Sequence, residues 1–324
     1  MLRVAQGCSR RLAMSDLAYP PSQARTRPAL TGWLAALATV TIWAVWAVAT
    51  RHAVTHDLPP AAIGLLRFGV PALLLIPISW RTGLFPKGLG FRKGLGLLGS
   101  GAPFFLIVAL GMQFAPAAEI GPLLPGTMPL FVALIGWLVF GERLGRFRIA
   151  GFALILIGVA CIGGYGLLFA GNGAWRGHVL LLSGACLWGI YTHAYRRSGL
   201  SALQAAALIG LWSFLILLPF GAPSLVRALG DGLAGPVILQ AVVQGFFSGV
   251  AGVVLYGLAV DRLGASRAAA VSPLSIVMAA VIAVPVLDEI PDRAALIGIT
   301  LATFGVVLAS GVFSRSASKG STRT

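Results

Sequence analysis

At 324 residues the chain has room for one or two ordinary domains, but 58% of it is hydrophobic, only 10% is charged, and its mean hydropathy is +0.91. Soluble domains carry about a quarter charged residues, so an ordinary soluble fold is excluded. The net charge of +15 would suggest nucleic acid in a soluble protein. Here the basic residues flank apolar runs, so they report topology, and no nucleic-acid partner is expected.

Residues 1–30 are basic and polar, lack the apolar core of a signal peptide, and read as a disordered cytoplasmic N-tail that starts at Met1 or Met14. Ten apolar runs follow, at 32–50, 61–80, 94–115, 120–140, 149–170, 179–195, 202–220, 237–260, 268–287 and 294–313. Each is near the roughly 20 residues that a spanning helix needs. No run alternates, and a helix satisfies its own backbone hydrogen bonds in lipid, so the expected class is all-α integral membrane with ten transmembrane helices. Residues 314–324 form a cytoplasmic C-tail. With the N-terminus inside, nineteen basic residues fall on the inner side and four (Arg51, Arg176, Arg227 and Arg293) on the outer, leaving Arg67 within the second run. That bias places both termini in the cytoplasm of a multi-pass protein of a bacterial-type inner or plasma membrane.

The sequence also repeats itself. Moving residues 122–159 along by 147 lays Glu142 on Glu289, Arg146 on Arg293, Gly151 on Gly298 and Gly158 on Gly305. Moving 42–51 along by 145 lays Trp43 on Trp188, Trp46 on Tyr191, Thr50 on Tyr195 and Arg51 on Arg196. Two five-helix repeats, 31–170 and 177–313, follow. An odd number of spans inverts the second relative to the first, an arrangement that secondary transporters use to place a substrate at the midplane between halves.

Pro129 stands some way before the pair Gly141–Glu142, and Gly151 and Gly158 follow; Ile42–Trp43 opens the first run and Arg67–Phe68 lies in the second. In these residues the chain resembles the EamA-like branch of the drug/metabolite transporter (DMT) superfamily, over nearly everything outside the tails. The second copy departs from the pattern at Ile276 and Asp288 and has no Arg-Phe pair. The resemblance implies a ten-helix carrier for amino acids, other metabolites or drugs. An amino-acid-like solute and export are the favoured reading.

Candidate site residues are few. Arg67 is a guanidinium inside an apolar helix, a contact for a substrate carboxylate or phosphate; the alternative is an arginine held by a nearby carboxylate, by helix-end carbonyls or by lipid headgroups. Glu119 is a candidate proton-coupling group or the partner of Arg67, with the helix dipole as the plainer reason for an acid there. Pro125 and Pro129, with Pro273 in the equivalent run, are expected to break their helices and line a cavity. Trp43 and Trp46, and Trp188, Tyr191 and Tyr195, form one stripe on each repeat's first helix: an aromatic lining for an amphipathic solute, or packing. His193 lies off that stripe and is a second coupling candidate or a structural group. Glu142 with Arg146, and Glu289 with Arg293, are read as ion pairs tying helix-joining turns, with a gating latch as the functional alternative.

No catalytic group, metal site or cofactor is expected. Cys8, Cys161 and Cys186 lack ligand spacing, and His52–His56–Asp57 lacks a general-base pattern. The glycines at 94, 96 and 99 fit a dinucleotide motif without its preceding strand. The expected partners are a small-molecule substrate, the lipid bilayer, and a proton or counter-substrate; the oligomeric state stays open. A membrane enzyme would need convergent acids or a nucleophile with its base, and a channel a ring of charges or a filter, so both remain only as alternatives to a carrier.

Overall fold

The computed structural model describes residues 29–165 and 173–310; residues 1–28, 166–172 and 311–324, which take in the ends of two apolar runs, the C-tail and nearly all of the N-tail, fall outside them. Helix α1 (Ala29–His56) is a long rod. Helices α2 (Pro60–Leu74) and α3 (Ile76–Thr82) form a pair bent by 71°. Pro71 and Pro77 each withdraw an N–H from the helical ladder, which accounts for the bend. Next come α4 (Phe91–Leu97), a 3-10 turn (Leu98–Ser100), α5 (Ala102–Phe114), α6 (Ala117–Leu123), α7 (Met128–Phe140) and α8 (Arg146–Tyr165). The second half holds α9 (Ala174–Arg196), α10 (Ala202–Gly230), α11 (Ala234–Gln240), a π-helical segment (Ala241–Ala251), α12 (Gly252–Leu263), α13 (Ala265–Val271), α14 (Leu274–Leu287) and α15 (Arg293–Ala309). There is no strand among the described residues.

Over its described residues each apolar run falls on a helical stretch, but among the described residues seven stretches are long and apolar enough to cross a membrane, or eight with the bent pair α2–α3. Helix α15 is apolar but short, with 17 residues. Helix α9 has 23 residues but carries Arg176, His178, His193 and Arg196. By length and composition, the described residues thus show seven or eight of the ten spans expected. Large apolar side chains such as Trp80, Leu138, Phe220, Val254 and Phe304 are exposed, the outer surface that lipid covers.

The backbone repeats where the sequence does, and also where it does not. The stretch at 117–140 breaks between α6 and α7, and the stretch at 265–287 breaks between α13 and α14. Both end in a left-handed residue at the same place, Gly141 at φ 66° and Asp288 at φ 54°. Asp288 is the positive-φ non-glycine residue of the described chain; an aspartate tolerates that region better than most side chains do. The departure from glycine at 288 changed the residue and kept the turn.

The contacts obey the same exchange of halves. Gly151 meets Gly305 and Gly158 meets Gly298, so α8 and α15 cross antiparallel through paired glycines; a Cβ on either member of the second pair would stand 3.2 Å from the other's carbonyl oxygen. Backbones that close are held by van der Waals contact, the force available between helices in lipid. In α2 and α10, Gly64 faces Leu217 and Gly210 faces Pro71, each pair 146 residues from the other. Helix α1 packs on α12 and α14 as α9 packs on α5 and α7. Trp43 lies 5.5 Å from Tyr256 in the first of these contacts, and Trp188 lies 5.5 Å from Phe104 in its counterpart.

Candidate functional site

The deepest polar cluster forms where α1, α2 and the π segment meet. Gly245 and Gly249 let the π segment approach α2: a Cβ on Gly245 would stand 2.9 Å from the carbonyl oxygen of Leu66, and one on Gly249 3.3 Å from that of Arg67. That closeness brings the polar face of the π segment to Arg67. Gln240, Gln244 and Ser248 follow at intervals of four and are all buried. Arg67 Nη1 donates to Ser248 Oγ at 2.7 Å, and its Cζ lies 5.3 Å from the Trp46 ring and 5.8 Å from both Phe68 and Phe105. Aromatic faces attract a guanidinium without neutralising it.

Beside this lies an amide ladder. Gln244 Nε2 donates to Thr50 Oγ1 at 2.8 Å and to Gln240 Oε1 at 3.1 Å, and Gln240 Nε2 donates to the Ala49 carbonyl at 3.1 Å. Three buried polar atoms here have no hydrogen-bond partner among the described residues: Arg67 Nε, Trp46 Nε1 and Gln244 Oε1. Two donors and one acceptor are thus left for a visitor that brings an acceptor and a donor. Unpaired polar atoms in a low-dielectric interior are costly, so their concentration in one place marks a candidate site.

The expected partnership of Arg67 with Glu119 is not found. Glu119, buried in the first turn of α6, accepts from His178 Nε2 at 2.6 Å. Arg67 has no carboxylate partner among the described residues, because α2 presents it to the π segment. The expected turn-tying pairs are not found either. Glu289 bridges to Arg51 at 3.0 Å instead of Arg293, and no bridge joins Glu142 to Arg146. Glu289 reaches across to the other half, whereas Glu142 stays exposed with its carboxylate against Gly136 of its own half.

The aromatic stripes behave differently in the two halves. Trp46 and Thr50 join the Arg67 cluster, while Trp43 packs on Tyr256. Trp188, Tyr191 and Tyr195 form a ladder with centroid separations of 5.2 and 6.0 Å. Consecutive residues of α5 connect the sets: Phe105 faces Arg67 and Phe104 faces Trp188. The prolines sit at the helix breaks, Pro125 between α6 and α7, Pro129 in the first turn of α7 and Pro273 as the N-cap of α14. At the breaks Thr127 Oγ1 donates to the Leu123 carbonyl at 2.6 Å and Ser275 Oγ to the Ser272 carbonyl at 2.7 Å, so these carbonyls are capped locally. His193 is buried, with Nε2 2.8 Å from the Val132 carbonyl and its ring on Phe140.

Gln240, Gln244, Ser248 and His178 were absent from the sequence-based candidates. The first three were visible as polar residues at helical spacing inside an apolar run. His178 stood one residue before its run and passed for loop.

Fold and site together define a polytopic helical membrane protein with two like halves and a polar cluster to which both contribute. A family profile described as EamA-like transporter family matches residues 30–164 and again 175–311. The chain belongs to the EamA-like transporter family, within the drug/metabolite transporter superfamily. The comparison with curated proteins gave no match. Among solved structures, one titled "Crystal structure of protein" aligns with 89% of this chain and 99% of its own, at 20% identity and a TM-score of 0.51. That likeness concerns the fold.

Proposed function

We propose that this protein is a secondary carrier that exports a small amphipathic solute, amino-acid-like in its polar end, by alternating access between two inverted five-helix halves. The reading takes the described helical stretches as ten spans with both termini on the cytoplasmic side of a bacterial-type inner or plasma membrane, as the basic-residue bias requires. The observation that carries it is the trio of unpartnered buried atoms around Arg67. A carboxylate answers Arg67 Nε and Trp46 Nε1, an N–H group of the same solute answers Gln244 Oε1, and the Phe68 and Phe105 rings take an apolar body. The Trp188–Tyr191–Tyr195 ladder lies across Phe104 from this cluster and serves as the opposite wall.

Coupling is assigned to Glu119 and His178. They form a buried acid–imidazole pair beside a cavity of about 70 Å³ that Glu289 and Asp292 also line. Arg51, through its bond to Glu289, is the neighbouring cation. Glu119 and His178 share one hydrogen bond between the halves, whereas His193 is tied to a carbonyl and serves structure.

The test is transport by purified protein in proteoliposomes against a panel of zwitterionic, anionic and cationic solutes, with and without a proton gradient. Removing one partner of a buried charge contact costs about 2–5 kcal/mol, so Arg67→Ala is expected to lower affinity for a carboxylated substrate by roughly thirty-fold or more. Equal affinity and rate in Arg67→Ala would remove the cluster from the substrate path. Glu119→Gln should abolish the response to the proton gradient while solute counterflow persists.

A further inference from the structure

We infer that the ion pair Arg51–Glu289 is one of two latches, one at each end of the bundle, that close in alternation; the inference rests on the carrier reading above. Arg51 lies near the end of α1. Its Nε and Nη2 donate to Glu289 Oε1 at 3.1 and 3.0 Å, and its Nη1 donates to the carbonyl of Met112 near the end of α5. The other carboxylate oxygen, Glu289 Oε2, accepts the backbone N–H of Ala117, the first residue of α6. One guanidinium and one carboxylate thereby join α1, α5 and α6 of the first half to the α14–α15 connection of the second. The two side chains are 14% and 25% exposed, so solvent screens the contact only in part.

The repeat supplies a copy of this device at the opposite end. The alignment that lays Trp43 on Trp188 lays Arg51 on Arg196, and the one that lays Gly151 on Gly298 lays Glu142 on Glu289. There the partners stand apart. Glu142 and Arg196 are exposed and form no ion pair, and the neighbouring Arg197 rests on the Phe140 ring, 3.2 Å from its centroid. Glu142 and the neighbouring Arg197 are nevertheless close to a common point. A Cβ on Gly136 would stand 2.6 Å from Glu142 Oε2 and 3.4 Å from His193 Cε1, while Arg197 Nη1 lies 3.4 Å from His193 Nδ1. Glu142 and Arg197 flank one imidazole without meeting.

One latch is shut and its copy is open. A carrier whose halves rock about a central site cannot tie both ends together and still admit a solute, so each pair stabilises the state in which the other is broken. In the opposite state Glu142 joins the arginines Arg196 and Arg197, and Arg51 releases Glu289.

The experiment reads the two ends without a substrate. In a background lacking native cysteines, Ala118, which is buried beside Glu289, is replaced by cysteine, and the rate of its reaction with a membrane-impermeant maleimide is measured in nanodiscs. Losing a contact of this kind shifts a two-state balance by roughly fivefold or more. Glu289→Gln and Arg51→Gln should each raise the labelling rate by that factor, and the double variant should label no faster than either single one. Glu142→Gln, at an exposed residue with no packing to lose, should lower the rate, since it weakens the state in which Ala118 is uncovered. Rates that add in the double variant, or an unchanged rate in Glu142→Gln, would overturn the paired latch even if Glu289→Gln failed to fold. Because labelling needs no solute, a responding latch in a protein that transports nothing would count against the carrier and not against the latch.

Discussion

Arg67 and Ser213 occupy the same place in the two halves, 146 residues apart, as the mirrored contacts of Gly64 with Leu217 and Gly210 with Pro71 establish. Each reaches the position equivalent to the other's partner: Arg67 Nη1 bonds Ser248 Oγ, and Ser213 Oγ accepts the N–H of Ala102, likewise 146 residues before Ser248. The frame is the same and the chemistry is not. In the second half a small hydroxyl closes a helix start and leaves no side-chain atom unpaired. In the first a long cation fills the corresponding place and leaves its Nε without a partner. A repeated fold thus supplies two equivalent positions, one holding a cation with an unpaired Nε and the other closed by its own hydrogen bond.

The largest test of this contrast concerns a contact joining the halves. His178→Leu leaves Glu119 buried without its partner and should cost about 3–5 kcal/mol of stability in a detergent melting assay, most of it recovered by adding Glu119→Leu. Recovery by less than half would mean that the carboxylate has another anchor. Next come the paired glycines. Gly298→Leu and Gly158→Leu should each cost about 1–3 kcal/mol, and by similar amounts, since each side chain meets the other's backbone. Clearly unequal losses would break the two-fold equivalence of α8 and α15.

A third comparison separates site from packing. Gln244→Leu should cost about 1–3 kcal/mol of stability, because Thr50 and Gln240 lose a partner, and also weaken solute binding about tenfold, whereas Ser213→Ala should lower stability by about 1 kcal/mol and leave binding alone. If both variants lose stability alone, the asymmetry has no functional content. The smallest effect is at the paired turns. Asp288→Gly should gain about 0.5–1 kcal/mol because glycine adopts φ 54° without strain, while Gly141→Ala should lose a similar amount. A destabilised Asp288→Gly would show that the Asp288 side chain contributes a contact of its own.

Much of the frame was legible before any coordinates. Long apolar runs leave a membrane chain no alternative to helices, and the matches at Glu142, Glu289, Gly151, Gly158, Gly298 and Gly305 announced the repeat. Of the candidate site, Arg67, Trp46 and Thr50 were visible as polar or aromatic groups in improbable surroundings. Gln244 and Ser248 were overlooked because charge is easier to notice in a hydrophobic run than an amide or hydroxyl. The partners of Glu119 and Glu289 were misjudged for other reasons. For Glu289, pairing at i, i+4 is a property of an isolated helix, and a contact 238 residues apart outweighed it. For Glu119, pairing with Arg67 rested on opposite charge, and the packing of α6 on α9 supplied His178, 59 residues on.

The sequence by itself determined membrane residence, helical class, the two-fold repeat and the family, because composition, run length and small-residue spacing are local properties that lipid reads directly. Only the tertiary structure decided which polar groups meet. That depends on the π segment's glycines drawing Ser248 onto Arg67, and on which end of the bundle brings its arginine within reach of its glutamate. Packing between helices distant in sequence sets both outcomes, and no periodicity within one helix encodes them.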